Sequence, residues 1–210
     1  MAKVIKKRRK LKIVAVLLFL LILFGIGFVG YVLLDMPIRN ILIKGNTLLK
    51  DQEIIEQAGI EDYPSFLRTT AHKIKKNLSD NPYIGSVKVH KQFFNKLVIE
   101  IEENRILYID STTNQMMLSS GESIASDEHS IGHAFLINEV AEVYKQEFIE
   151  RMNEIQPEIL QKVSEIKYEP TELDQGRFLF TMSDGNYVYL TLTKFKNINY
   201  YEDVLPQLEG

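Results

Sequence analysis

Ile13 to Leu34 is a run of 22 residues without a charged side chain. Wound as an α-helix at 1.5 Å per residue it measures about 33 Å, enough for a bilayer hydrocarbon core of about 30 Å. A helix of that length in a soluble protein normally keeps a polar face, and this segment has none. It is therefore expected to cross a membrane. That leaves a short tail, residues 1–12, on one side and residues 35–210 on the other.

Charge sets the direction. The tail carries Lys3, Lys6, Lys7, Arg8, Arg9, Lys10 and Lys12 and no acid. Basic residues beside a span stay in the cytoplasm, so a single-pass, type II, N-in orientation follows, with residues 35–210 outside the cell membrane. Of the 25 basic residues, seven lie in the tail; the other 18 stand against 28 acidic ones, so the outer body is acidic. A cleaved signal peptide has an apolar stretch of about 7–15 residues ending at a small-x-small site. Here the run is longer and continues into Leu34-Asp35-Met36-Pro37, so the anchor is expected to stay. Gly25-Ile26-Gly27-Phe28-Val29-Gly30 spells GxGxxG. The dinucleotide motif needs a preceding strand and a helix N-terminus open to water, and inside lipid neither exists. The basic tail, placed against the span, is read as a topology signal, and no nucleic acid is expected as a partner. The absence of Cys excludes a disulfide-stapled fold, a zinc ribbon and a cysteine nucleophile.

Beyond Met36 the hydrophobic period changes and the chain reads as α+β. Ile38 to Lys44 is a strand with Ile41 and Ile43 on one face, Gly45-Asn46 a turn, and Lys50 to Ala58 a short helix closed by Gly59, capped by Thr47 or Asp51. Ser65 is expected to open a second helix through Phe66, Leu67, Ala71, Ile74 and Leu78, stopped by Asn81-Pro82. Two strands follow, one with Val87 and Val89, the next with Leu97, Ile99 and Ile101, turning between Phe93 and Lys96. With their apolar faces together, Lys88 and His90 share a face with Glu100 and Glu102. Residues 36–104 thus form a βααββ domain.

Residues 105–210 form a second, β-rich α+β domain. Strands are expected at Arg105 to Asp110, Gln115 to Leu118, Ala134 to Ile137, Ser164 to Glu169, Arg177 to Met182 and Tyr187 to Leu192, the last two joined by Ser183-Asp184-Gly185-Asn186. Tyr144, Phe148, Met152 and Ile155 make a helical stripe, and Pro157 starts another helical turn. A last helix spans Asn197 to Leu208, where Pro206 is expected to kink or end it.

Candidate chemistry is sparse. Glu100, Glu102 and Glu103 invite comparison with the paired carboxylates of glycosidases, which stand about 5–10 Å apart with one pKa raised. Alternation with Leu97, Ile99 and Ile101 puts Glu100 and Glu102 on a solvated strand face instead. Glu128, His129 and His133 are the best metal candidates, yet Ser130-Ile131-Gly132 between the histidines is a poor helix, so no metal and no other cofactor is expected. No Gly-x-Ser-x-Gly elbow occurs. No catalytic residue and no small-molecule substrate is therefore expected. The rival class, a membrane-anchored wall hydrolase or transferase, predicts activity on wall polymers that depends on particular carboxylates or serines.

A binding module has a clearer physical route. Exposed strand edges accept a partner's strand through main-chain hydrogen bonds, and side-chain pockets add specificity. The hairpin from Val87 to Glu103 and the strand from Tyr187 to Leu192 offer such edges. Tyr187, Tyr189, Tyr200, Tyr201, Val204 and Leu208 are the candidate partner-binding residues, aromatic and apolar anchors beside the second edge. Tyr201, Val204 and Leu208 fit equally the task of packing the last helix onto its own sheet.

Several stretches carry a resemblance. They are Ile41-Leu42-Ile43-Lys44-Gly45-Asn46 followed by Asp51, Glu53 and Ile54; Asn81-Pro82-Tyr83-Ile84; Val87-Lys88-Val89; the run from Asn95 to Glu103; Ser164-Glu165-Ile166-Lys167-Tyr168; Met182-Ser183-Asp184-Gly185; and the helix at Tyr201. In this order, behind a basic tail and one membrane helix, they resemble the FtsQ/DivIB family of bacterial cell-division proteins, whose POTRA domain precedes a β domain. Phe94 stands where many relatives have Pro. The resemblance implies a non-catalytic divisome scaffold at the septum that binds small single-pass coiled-coil division proteins of the FtsB/DivIC and FtsL type. It also implies a further strand after the Tyr201 helix, so with the sequence stopping at Gly210 a shortened docking edge is expected. A POTRA-bearing secretion or outer-membrane component usually carries POTRA repeats or a barrel, and the sequence shows neither.

Overall fold

The computed structural model describes residues 13–93 and 95–208; the basic tail, Phe94, residues 209–210 and the side chain of Leu208 lie outside the described residues. Helix α1 (Ile13–Leu34) is continuous, with no residue buried. It is apolar on every side, and long and apolar enough to cross a membrane.

The next elements follow the expected order: β1 (Asn40–Lys44), α2 (Asp51–Ala58), α3 (Ala71–Ser79), β2 (Ile84–Gln92) and β3 (Lys96–Glu103). The sheet order is β1-β3-β2, with β1 parallel to β3. Strand β3 is therefore central, which corrects the expectation that the whole hairpin from Val87 to Glu103 offers an edge. The register explains it: Ile41 sits beside Leu97 and Ile43 beside Ile99, so the apolar positions of both strands share one face.

Helix α3 begins only at Ala71, so Phe66 and Leu67 are not on it. The preceding backbone is committed elsewhere. Ser65 forms a bridge with Pro37, and the Phe66 N–H donates to the Met36 carbonyl at 2.8 Å. The Thr70 hydroxyl then accepts the Lys73 N–H at 3.2 Å and starts the helix.

The described residues pack as two compact units, one holding those up to 44 with 51–78 and 88–100, the other holding 45–50, 79–87 and 101 onward. In the first, Ile38, Ile54, Ile74, Leu78, Leu97 and Ile99 are buried. In the second, Gly45 turns at φ +86°, with the Ile101 carbonyl oxygen 2.0 Å from where a Cβ would stand. The loop after it is tied by Glu103, whose carboxylate accepts Thr47 N–H, Thr47 Oγ1–H and Leu48 N–H at 2.8 Å each, and Leu49 N–H at 2.9 Å. Thr47 is thus engaged with Glu103 and does not cap α2.

The second unit continues with β4 (Ile106–Asp110), β5 (Gln115–Leu118), β6 (Ser123–Ala125), β7 (Phe135–Leu136), α4 (Glu142–Asn153), α5 (Pro157–Leu160), β8 (Val163–Tyr168), β9 (Arg177–Met182) and β10 (Tyr187–Thr191). These strands form one sheet in the order β10-β9-β8-β7-β4-β5-β6. The chain closes with a 3₁₀ segment, Leu192–Tyr200, and α6 (Tyr201–Leu208). This corrects the expected α-helix from Asn197. Leu192, Phe195, Ile198 and Tyr201 recur every third residue, the period of a 3₁₀ helix, and the first three are buried. Pro206 removes one ladder bond but lies inside α6, which runs on to Leu208. The core of this unit is aromatic: Phe148 and Phe178 stack at 4.7 Å, and Phe195 meets Phe178 and Phe180 edge-on at 5.2 and 5.1 Å.

Candidate partner-binding edge

Strand β10 ends the seven-stranded sheet. On one side it pairs with β9, Tyr189 opposite Leu179 and Thr191 opposite Arg177; its other side meets no strand among the described residues. Strand alternation turns Val188 and Leu190 toward the core cluster and leaves Tyr187 and Tyr189 outward, 67% and 55% exposed. The Arg177 guanidinium lies 4.5 Å over the Tyr189 ring and so restricts it. Arg177 and Lys167 each reach Glu169 at 3.1 Å. The Lys167 hydrogen bond first, then that of Arg177, holds the Glu169 carboxyl below its usual range.

The facing wall is the 3₁₀ segment and α6, and its position follows from what it buries. Phe195 enters the aromatic core. The Asn199 side chain accepts the Gln156 N–H at 2.8 Å and donates to the Glu154 carbonyl at 3.0 Å. The Tyr201 hydroxyl donates to Asp184 at 2.6 Å and accepts from the Asn186 amide at 2.9 Å, tying α6 to the β9–β10 turn. That Tyr201 bond, with the Asn186 N–H, holds the Asp184 carboxyl below its usual range. An ion pair joins Lys162 to Glu202. The side chains not engaged in this packing face outward, Tyr200 60% and Val204 45% exposed.

Between the walls runs a groove of about 290 Å³ lined by Tyr187, Tyr189, Tyr200, Tyr201, Val204 and Leu205. Five of the six candidate residues thus meet in one place; the Leu208 side chain lies outside the described residues. Tyr201 is a positioning residue, half-buried against the core, and the other four present free surface. Arg177 and Leu205 were not among the candidates. The alternation of Arg177, Leu179 and Thr181 with buried Phe178, Phe180 and Met182 was the signal that puts Arg177 on the Tyr189 face.

The other candidates have different roles. Glu103 directs its oxygens at a backbone loop, as described above, and Glu102 accepts from the Ser86 hydroxyl at 3.1 Å. Glu128–Ser130 is a 3₁₀ turn capped by Asp127, and Gly132 at φ +86° redirects the chain before His133. The two histidines therefore do not share a helix face. The His129 ring meets Tyr83 edge-on at 5.0 Å, and the Tyr83 hydroxyl donates to Asp127 at 2.7 Å. Burial, then that hydrogen bond, pushes the Tyr83 pKa up. Among the described residues no three His, Cys, Asp or Glu side chains stand together as metal ligands.

Comparison with known proteins gives concordant matches. Residues 36–104 match the family described as POTRA domain, FtsQ-type, and residues 107–210 match cell division protein FtsQ/DivIB, C-terminal. Cell division protein DivIB of Bacillus anthracis is 30% identical over 200 residues, covering 92% of this chain and 74% of the relative. DivIB of Bacillus cytotoxicus is 32% identical over 200 residues, covering 92% and 76%. The solved major extracytoplasmic domain of DivIB from Geobacillus stearothermophilus is 21% identical, covers 51% of this chain and 96% of that domain, and aligns with a TM-score of 0.41.

Proposed function

The chain belongs to the FtsQ/DivIB family of bacterial cell-division proteins, and from that premise we propose that it is a non-catalytic scaffold of the divisome. In this reading α1 anchors it with residues 1–12 in the cytoplasm and residues 35–210 outside, at the division septum. Its partners are small single-pass coiled-coil division proteins of the FtsB/DivIC and FtsL type, which dock along β10. It takes no nucleic acid, small-molecule substrate or cofactor.

The observation that carries this reading is the side of β10 that meets no strand among the described residues, beside a groove walled by exposed tyrosines. A partner segment entering in extended form adds main-chain hydrogen bonds to that side. Its apolar side chains fill the groove against Tyr189, Tyr200 and Val204, and these contacts supply selectivity. Confinement of both proteins to one membrane raises their effective concentration, so a modest interface suffices.

The test is co-purification from membranes of the native host, with the full chain tagged. Tyr189→Asp combined with Val204→Asp should remove the coiled-coil partners while membrane insertion and circular dichroism stay unchanged. Undiminished recovery of those partners by the double variant would refute docking at β10. Hydrolysis of purified wall polymer by the wild-type chain, lost on replacing a particular carboxylate, would replace the scaffold by the enzyme reading.

A further inference from the structure

Where α1 ends, two other segments gather. The Ser65 hydroxyl donates to the Leu34 carbonyl, and the Phe66 N–H donates to the Met36 carbonyl at 2.8 Å. Asn95, at the tip of the β2–β3 hairpin, donates its side-chain amide to the Pro37 carbonyl at 3.0 Å, and its own carbonyl accepts the Arg39 N–H at 3.1 Å. Lys91 donates to the Phe66 carbonyl and lies 4.9 Å over the Phe66 ring. The turn at residues 65–67 and the hairpin tip are therefore held one hydrogen bond away from the residues at the end of the apolar helix.

The side chains presented there suit water poorly. Phe93 is 91% exposed and Leu67 50%. Together with Leu33, Met36 and Phe66 they line an open apolar groove of about 340 Å³. Basic groups flank it: Lys91, the exposed Arg39, and Arg68, whose pair with Asp35 at 3.7 Å leaves both side chains more than half exposed. Aromatic rings beside Lys and Arg are the composition that collects at a membrane–water boundary.

We propose that this patch, Phe93 and Leu67 with Lys91 and Arg68, docks onto the outer leaflet of the bilayer that α1 spans. Its apolar side chains enter the boundary between headgroups and acyl chains, and its cations meet lipid phosphates. The inference rests on α1 being the membrane anchor. A helix of about 33 Å slightly exceeds a core of about 30 Å, and the polar zone adds only about 5–7 Å per side. Groups bonded to residues 34–37 therefore fall within that zone. Such contact gives the first unit a second point of attachment and a set height above the bilayer.

The chain has no Trp, so an introduced one reports alone. Full-length Phe93→Trp is reconstituted in phosphatidylglycerol–phosphatidylethanolamine vesicles. Quenching is compared between lipids brominated near the headgroup end of the acyl chain and aqueous iodide. Phe24→Trp inside α1 serves as the membrane reference and Leu173→Trp, at a fully exposed position, as the water reference. The expected result is strong bromolipid quenching and weak iodide quenching for Phe93→Trp, with Leu173→Trp the reverse. Iodide quenching of Phe93→Trp at the Leu173→Trp level, with Phe24→Trp still quenched by bromolipid, overturns the patch and leaves the anchor intact. Loss of bromolipid quenching in Phe24→Trp itself overturns both.

Discussion

Replacing Glu103 by Gln keeps the shape of the side chain, removes its charge and turns one oxygen into a donor. In the wild type Oε2 accepts three hydrogen bonds, from Thr47 N, Thr47 Oγ1 and Leu48 N, and Oε1 accepts one from Leu49 N. A glutamine can offer its oxygen to the three-donor side; its amide nitrogen then faces the Leu49 N–H, donor against donor. Hydrogen bonds to a charged group contribute about 1.5–3 kcal/mol and neutral ones about 0.5–1.5 kcal/mol. In a dry interior the change would cost several kcal/mol. The Glu103 loop is part-exposed, and water can satisfy the Leu49 N–H, so the expected loss is about 2 kcal/mol. Native-state hydrogen exchange on the full chain in micelles reads this locally: the Thr47, Leu48 and Leu49 amides should exchange about thirtyfold faster. Amides of β8 and β9, in the separate seven-stranded sheet, should keep their rates. Unchanged exchange at all three amides would refute the reasoning, because it would mean the carboxylate does not hold the loop. The same variant separates two chemistries. A catalytic acid would lose activity on wall polymer with the loop intact; a loop tie loses protection and has no activity to lose.

Three further perturbations test the framework. Gly45→Ala places a Cβ against the Ile101 carbonyl at a backbone angle L-residues avoid, and should lower stability by about 2 kcal/mol or more, read as a reduced urea midpoint. Phe195→Ala removes the ring that meets Phe148, Phe178 and Phe180, and should cost about 3–5 kcal/mol, with protection at Tyr200 and Tyr201 falling first. Tyr201→Phe removes the tether to Asp184, so the Asp184 carboxyl should titrate higher, nearer the usual carboxylate range, in a carbon-detected NMR titration. The sign for pH follows: a carboxyl depressed in the folded state stabilises above its unfolded pKa, and that contribution is lost as pH falls through the folded value. Protection of α6 should therefore weaken more on acidification in the wild type than in Tyr201→Phe, which keeps the Lys162–Glu202 pair as an acid-sensitive tie.

The patterns that survive in the structure are those set by local chemistry. The uncharged run gives α1, alternation gives β9 and β10, and Gly59 at φ +69° closes α2. What was not legible depends on distant partners. The apolar spacing of Phe66 and Leu67 with Ala71 fits a helix, but the pairing of Ser65 and Phe66 with residues 36–37 holds that backbone in a bridge followed by a turn. β3 alternates like an edge strand, and nothing in its own residues reveals that β1, some fifty residues earlier, pairs with its outer side. The role of Glu103 as a loop tie was not legible either, because its four donors come from residues 47–49. The four exposed groove residues were recognisable as large apolar or aromatic groups near the end of the chain, whereas the Arg177 contact that orients Tyr189 required knowing the register of β9 against β10.

The closing segment shows why stability and recognition can occupy one short stretch without competing. A three-residue repeat in a 3₁₀ helix keeps successive side chains nearly eclipsed, so Leu192, Phe195, Ile198 and Tyr201 form one inward stripe. An α-helix would rotate that stripe by about 60° at each step and carry part of it into solvent. With the stripe fixed, Tyr200 beside it faces outward, and the change to α-helix at Tyr201 brings Val204 to the same wall. The groove is thus shaped in part from beneath, by Phe195 above all, and its exposed lining can change chemistry with little cost to the core. That division favours a docking surface, since a partner-facing residue can vary while the wall that holds it stays in place.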